Sequence, residues 1–196
     1  MKVYDISREL LSAPLYPGTA EPRVIPLMRI GENNSHYNLS DLAFGAHVAT
    51  HCDACWHFVE DGPDIAAMPL THYVGPCYVM DVPENTLISG DFVQEKLPQG
   101  VQRLLIRGGG QSFLSNEAAD YIRKSGVITV GTDGWSVSPL NNESRIHSLF
   151  LGNGVAIIEQ LDLSEVKEGY YNLCAAPVKI AGCDGAPCRA LLFAED

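Results

Sequence analysis

The sequence predicts a single domain, residues 1–196, of mixed α/β (α+β) class. Three observations carry that prediction. Stretches rich in β-branched and aromatic residues outnumber amphipathic helical ones. The two kinds follow one another irregularly rather than in a regular βαβ array. A chain of 196 residues is long enough for one substantial core, and 18 Gly with 12 Pro supply many turns.

Taken in order, residues 3–6 read as an opening strand. The Pro14-Leu-Tyr-Pro-Gly18 turn follows, with Tyr16 offering a ring and a hydroxyl. Strands are predicted at residues 23–30 and 37–44, after which Gly45 and Ala46 leave room for close packing. Glu60-Asp-Gly-Pro-Asp64 is an acidic turn, residues 74–82 a strand despite Pro76, residues 89–96 a short helix, and residues 101–106 a buried strand. Gly108-Gly-Gly110 is a turn that lacks the Lys-Ser/Thr of a phosphate loop. Ser115 caps a helix that carries Arg123 and Lys124 in its last turn and stops at Gly126. A strand over residues 127–131 leads to Thr132-Asp133-Gly-Trp135. Asn141 or Asn142 caps a helix through Leu151, with His147 inside it and Gly152-Asn-Gly154 as its stop. Residues 155–158 form a strand with Glu159 at its far end. A carboxylate in that position needs a partner or a metal. Strands at residues 177–181 and 190–193 close the chain, joined by a loop from Gly182 to Arg189.

The stretch richest in chemistry is His47-Val-Ala-Thr-His51-Cys-Asp53-Ala-Cys-Trp-His57, which holds three of the six histidines. Val48 and Thr50 favour an extended backbone. Side chains then alternate, so His47, His51 and Asp53 are expected on one face. A helix would instead swing Asp53 about 200° away from His51. Two imidazoles and a carboxylate converging in this way suit a divalent metal.

The net charge of −11 and the absence of a basic cluster argue against nucleic acid or an anionic membrane as partner. No stretch approaches the roughly 20 apolar residues of a membrane helix, and the N-terminus shows no signal peptide. The six Cys read as reduced thiols, so a cytoplasmic location is expected. Two rival chemistries have their own sequence signatures. Cys52-x-x-Cys55 has the spacing of a thiol pair and, as a structural zinc site, would make this a non-catalytic binding protein. Gly-x-Ser-x-Gly, the serine-hydrolase elbow, is absent, and Ser136 does not provide one.

Beyond these local readings, His47-x-x-Thr50-His51-x-Asp53-Ala54-x-x-His57-Phe58 resembles the signature of the metal-dependent hydrolases called the cyclase family, whose best-known members are bacterial kynurenine formamidases. The resemblance continues in Tyr4-Asp5-Ile6-Ser7, Tyr16-Pro17-Gly18, Gly131-Thr132-Asp133 with Ser136, His147, Ile157-Ile158-Glu159 and Gly182-x-Asp184-x-x-Pro187-x-Arg189-Ala190. It implies a β/β/α swivelling-type fold, assembly as a homodimer or homotetramer, and two divalent ions per chain, Zn²⁺ or Mn²⁺. By the same resemblance His47, His51 and Asp53 bind one ion and His147 a second. Asp53 and Glu159 lie between the ions, His57 is the acid–base residue, and Tyr16 contacts the substrate. The implied reaction is hydrolysis of a small amide such as N-formylkynurenine, an intermediate of tryptophan catabolism, or of an isatin-like lactam. The chain departs from the family pattern at Ala49, commonly Gly, at Cys55, commonly Pro, at Thr19, commonly acidic, and at Tyr16, which replaces a tryptophan.

Overall fold

The computed structural model describes residues 1–194. Its strands are β1 (Lys2–Asp5), β2 (Arg23–Met28), β3 (Leu39–Ala43), β4 (His51–Asp53), β5 (Val74–Asp81), β6 (Leu87–Ile88), β7 (Arg103–Arg107), β8 (Phe113–Leu114), β9 (Thr129–Thr132), β10 (Ala156–Glu159), β11 (Gly169–Cys174), β12 (Gly185–Pro187) and β13 (Leu191–Ala194). Three α-helices, α1 (Gly90–Lys96), α2 (Asn116–Lys124) and α3 (Glu143–Leu151), separate them. Nine strands join one sheet in the order β1-β13-β11-β5-β7-β9-β10-β4-β12. Its centre, β5-β7-β9-β10, is parallel, and its flanks are antiparallel. The mixed α/β class is therefore as the sequence predicts.

Alternation along the strands sorts side chains into two cores. Leu105, Ile158 and Cys52 join Ile6, Tyr73 and Leu161 on one face. Leu104, Ile106 and Ile157 meet Val93, Ile122, Ile146 and Phe150 of the helices on the other. All three helices thus cover one face. Ser89 and Ser115 cap α1 and α2 by accepting from the Phe92 and Ala118 N–H groups, each cap contributing about 1 kcal/mol. In α3 the Asn142 side chain makes no cap bond, and a 3₁₀ turn (Leu140–Asn142) leads into the helix.

The C-terminal third departs from the sequence prediction in three places. β11 was missed, because Gly169 and Asn172 are poor strand formers; pairing with β5 on one side and β13 on the other imposes the extended backbone. The strand expected at 177–181 reduces to a single bridge between Pro177 and Cys188. The loop read between Gly182 and Arg189 contains β12, which pairs with β4. The strands predicted around residues 23–30 and 37–44 exist, as β2 and β3. They pair only with each other, leaving Val24, Ile25, Leu27, Leu39 and Leu42 exposed.

Candidate metal centre

The centre assembles on β4 and its neighbour β10. His51 and Asp53 lie two residues apart on β4 and share a face, as alternation requires. Glu159 is the register partner of His51 across the antiparallel pair, and Ile157 that of Asp53. These four side chains therefore face the helical layer, where α3 brings in His147. Cys52 points the opposite way, into the apolar core, and its thiol donates to the Ala175 carbonyl.

His47 arrives by a different route from the one expected. The extended backbone predicted for residues 47–50 is a tight turn, with Ala49 in the left-handed region at φ 54°. That conformation is unfavourable for a residue with a Cβ, and it accounts for the glycine of the family pattern at the position that Ala49 occupies here. The turn folds His47 back so that Nδ1 lies 2.9 Å from Asp53 Oδ1 and Nε2 lies 2.9 Å from Asp184 Oδ2. Close packing holds the ring there: a Cβ on Gly185 would fall 2.7 Å from His47 Cε1.

Hydrogen bonds from the other nitrogens set which lone pairs face inward. His51 donates from Nδ1 to the Ala49 carbonyl at 2.8 Å. Its Nε2 then lies 3.4 Å from Asp53 Oδ1 and 3.5 Å from Glu159 Oε2. His147 donates from Nδ1 to the Glu143 carbonyl one turn earlier, and its Nε2 lies 3.2 Å from Glu159 Oε1 and 3.7 Å from Asp53 Oδ2. Such backbone anchoring fixes tautomer and ring orientation in metal-ligating histidines.

The charges are concentrated and buried. Burial alone would raise the Asp53 carboxyl, but the His47 and His51 imidazoles beside it hold it well below the usual carboxylate range. Burial and the Asp53 charge raise Glu159, while His147 and His51 bring it below its ordinary value. Burial would lower His147, but the Glu159 and Asp53 carboxylates lift it to about 9. His51 is likewise raised against its burial. His57 goes the other way, lowered chiefly by burial.

The donor set suits a divalent ion. His51 Nε2 and Asp53 Oδ2 are buried without a hydrogen-bond partner. An unpaired lone pair in such a place costs free energy that a bound cation would recover. Two groups bring their ligand atoms within 4.8 Å of one another, His51/Asp53/Glu159 and His47/Asp53/His57, and Asp53 belongs to both. Neither group contains a cysteine among the described residues, so the structural-zinc alternative built on Cys52 and Cys55 gains no support.

His57, on the 3₁₀ turn Cys55–His57, stacks on His47 at 4.1 Å between ring centroids, and its Nδ1 lies 3.2 Å from Asp184 Oδ2. It stands closer to the ligand cluster than a detached proton shuttle requires. Asp184, noted in the sequence without a role, thus ties His47 to His57. Tyr16 donates its hydroxyl to Glu143 Oε2 at 3.0 Å and packs against Trp135. Together with Phe58 these residues wall a pocket of about 270 Å³ that opens onto the imidazoles.

Gln160, also in this pocket, was not singled out from the sequence. It is 3% exposed and holds φ 55°. Its N–H donates to the Gly134 carbonyl, and its carbonyl accepts from Thr50 Oγ1 at 2.6 Å. Its side-chain Oε1 is buried and unpartnered. A polar residue just beyond an apolar strand is a weak signal, and only the strained backbone reveals it.

A mixed α/β sheet presenting clustered imidazoles and carboxylates from strand ends and one helix is the architecture of a metal-dependent hydrolase. A solved structure described as a potential metal-dependent hydrolase with cyclase activity is similar at a TM-score of 0.85 and 29% identity, covering 100% of this chain and 98% of that one. The kynurenine formamidase of Bacillus cytotoxicus is 33% identical over 172 residues, covering 82% of each chain. That of Erythrobacter litoralis is 33% identical, covering 97% of this chain and 93% of its own. Isatin hydrolase A from Ralstonia solanacearum shares the fold, with a TM-score of 0.86 at 20% identity. The Cyclase family model matches residues 4–139, and the chain belongs to that family.

Proposed function

We propose that this chain, as one domain, is a metal-dependent amidohydrolase that cleaves small aryl formamides such as N-formylkynurenine. The observation that carries the reading is the pair of carboxylates, Asp53 and Glu159, each within 3.7 Å of imidazole nitrogens of His51 and His147. Carboxylates can bridge two cations, whereas an imidazole offers one lone pair to one. In this reading His47, His51 and Asp53 would hold one ion and His147 a second, with the Asp53 and Glu159 carboxylates available to both. Bound ions would polarise the substrate carbonyl and acidify water. Zn²⁺ suits the imidazoles and Mn²⁺ the carboxylates.

The remaining roles belong to the chain's own side chains. His57 takes a proton from the attacking water and delivers it to the leaving nitrogen. Its lowered basicity, caused mainly by burial, keeps the free imidazole available near neutral pH. Asp184 orients the ring through Nδ1. Tyr16, Phe58 and Trp135 enclose a planar aromatic group and exclude water from it. The exposed apolar side chains of the β2–β3 hairpin support assembly as a homodimer or homotetramer. Among the described residues no helix is long and apolar enough to cross a membrane.

The test is the metal content of purified protein, followed by N-formylkynurenine turnover with and without chelator. Two equivalents per chain and an activity that chelator abolishes and Zn²⁺ or Mn²⁺ restores are expected. Two equivalents without turnover would move the substrate to lactams of the isatin type. No metal after reconstitution would end the hydrolase reading.

A further inference from the structure

His47 and His57 meet on one carboxylate oxygen. Asp184 Oδ2 lies 2.9 Å from His47 Nε2 and 3.2 Å from His57 Nδ1, beside the stacked pair of rings. An ionised carboxylate only accepts, and one oxygen has lone pairs enough for two donors. With Nε2–H of His47 committed to Asp184, Nδ1 is the nitrogen left to face Asp53 Oδ1, 2.9 Å away. In His57 the order is reversed. There Nδ1 donates to Asp184, and Nε2 carries the free lone pair on a ring that lines the pocket.

The chain builds this position from several sides. The Ala54 N–H, at the start of the turn that carries His57, donates to the Asp184 carbonyl at 2.9 Å. The Ile65 N–H donates to the Cys183 carbonyl at 2.9 Å, and the Gly182 N–H donates to Asp64 Oδ2 at 2.6 Å. The acidic turn ending at Asp64 thus pins the loop that presents Asp184. Gly185, next in the chain, opens β12 without a Cβ; one there would fall 2.7 Å from His47 Cε1 and push the ring away. The Asp184 side chain is 41% exposed, so water could satisfy it and burial does not demand a partner. Its aim at two imidazoles is a matter of placement.

Resting on the amidohydrolase reading, we infer that Asp184 is a positioning residue for two imidazoles at once: it sets His47 as a metal ligand through Nδ1 and holds His57 for proton transfer. Metal-ligating histidines commonly donate their second N–H to a carboxylate, and losing that partner weakens metal affinity about 10–100-fold. Here the same oxygen also serves the acid–base ring. One substitution therefore strikes metal affinity through His47 and turnover through His57, and the two effects can be separated.

The test uses the full chain, with stepwise Zn²⁺ affinities from competition against a chromophoric chelator and N-formylkynurenine turnover at saturating Zn²⁺. Asp184→Ala should bind one of its two equivalents about 10–100-fold more weakly, and its kcat should fall at least about tenfold even when loaded. Asp184→Asn keeps an oxygen that accepts from one ring, and should recover affinity to within about tenfold of the parent. In a His57→Ala background, Asp184→Ala should lower kcat no further, while the loss of affinity persists. Parent affinity in Asp184→Ala overturns the link to His47, and a double variant slower than His57→Ala overturns the link to His57. Both results leave amide hydrolysis standing. The affinity measurements need no substrate, so they decide the His47 half whatever the enzyme hydrolyses. An unaltered protein that binds no Zn²⁺ overturns the amidohydrolase reading and this inference together.

Discussion

His147 donates from Nδ1 to the carbonyl of Glu143 at 3.0 Å, which commits its Nε2 to the space between Glu159 and Asp53. One helical turn thus converts a local hydrogen bond into ligand orientation. In the proposed arrangement this is the only imidazole holding the second ion. His147→Ala should therefore keep about one equivalent of metal and lose at least about 10²-fold in kcat. Asp53, common to both ligand groups, should lose both equivalents on replacement by Ala. Elemental analysis of the purified variants decides: a fully loaded Asp53→Ala protein would remove its bridging role.

His57 poses a sharper question, because its ring stacks on His47 and shares a ligand-competent group with it. An acid–base residue that is not a ligand can be deleted without emptying the site. His57→Ala should retain two equivalents while turnover falls by about 10²–10⁴. Loss of one equivalent would reassign His57 as a ligand, and full activity would discard the proton-transfer role altogether.

The sequence made some of this geometry legible and hid the rest, for physical reasons. His51 and Asp53 share a face because residues two apart on a strand always do, so spacing alone reveals them. Glu159 was legible as a charge at the end of an apolar strand. His47 was placed correctly in the cluster but by the wrong backbone: the β-branched Val48 and Thr50 argued for extension, whereas Ala49 adopts φ 54° and folds the chain back. Asp184 reaches His47 and His57 only through the pairing of β12 with β4, a long-range contact with no local signal. Strand β11 was hidden for the same reason, its backbone being dictated by neighbours on both sides.

The cysteine pair provides a test of the rival chemistry. Cys52 lies on the face of β4 opposite His51 and Asp53, fully buried among apolar side chains. Cys52→Ala should keep its full metal content and lose about 1 kcal/mol of stability from the vacated volume. Cys55→Ala should likewise stay loaded. Metal analysis and a denaturant melt read both effects, and a Cys52→Ala protein stripped of metal would restore the thiolate site.

Ala49 links the departure from the family pattern to the metal centre. Its carbonyl accepts from His51 Nδ1, and its left-handed backbone turns His47 toward Asp53. Glycine at this position relieves a cost of about 1 kcal/mol in the folded state, but it also loosens the unfolded chain by about 0.4–1 kcal/mol. Ala49→Gly should therefore stay within about 1 kcal/mol of the parent and bind metal as well. A β-branched side chain cannot take this φ without strain, so Ala49→Val should lose about 1–3 kcal/mol. Because the strain is released by opening the turn, the same substitution should weaken metal binding through both His47 and His51. Paired thermal melts with and without Zn²⁺ separate the two effects: the metal-dependent rise in Tm should persist in Ala49→Gly and shrink in Ala49→Val. An Ala49→Val protein with the parent's full rise in Tm would show that the turn does not govern the ligand geometry.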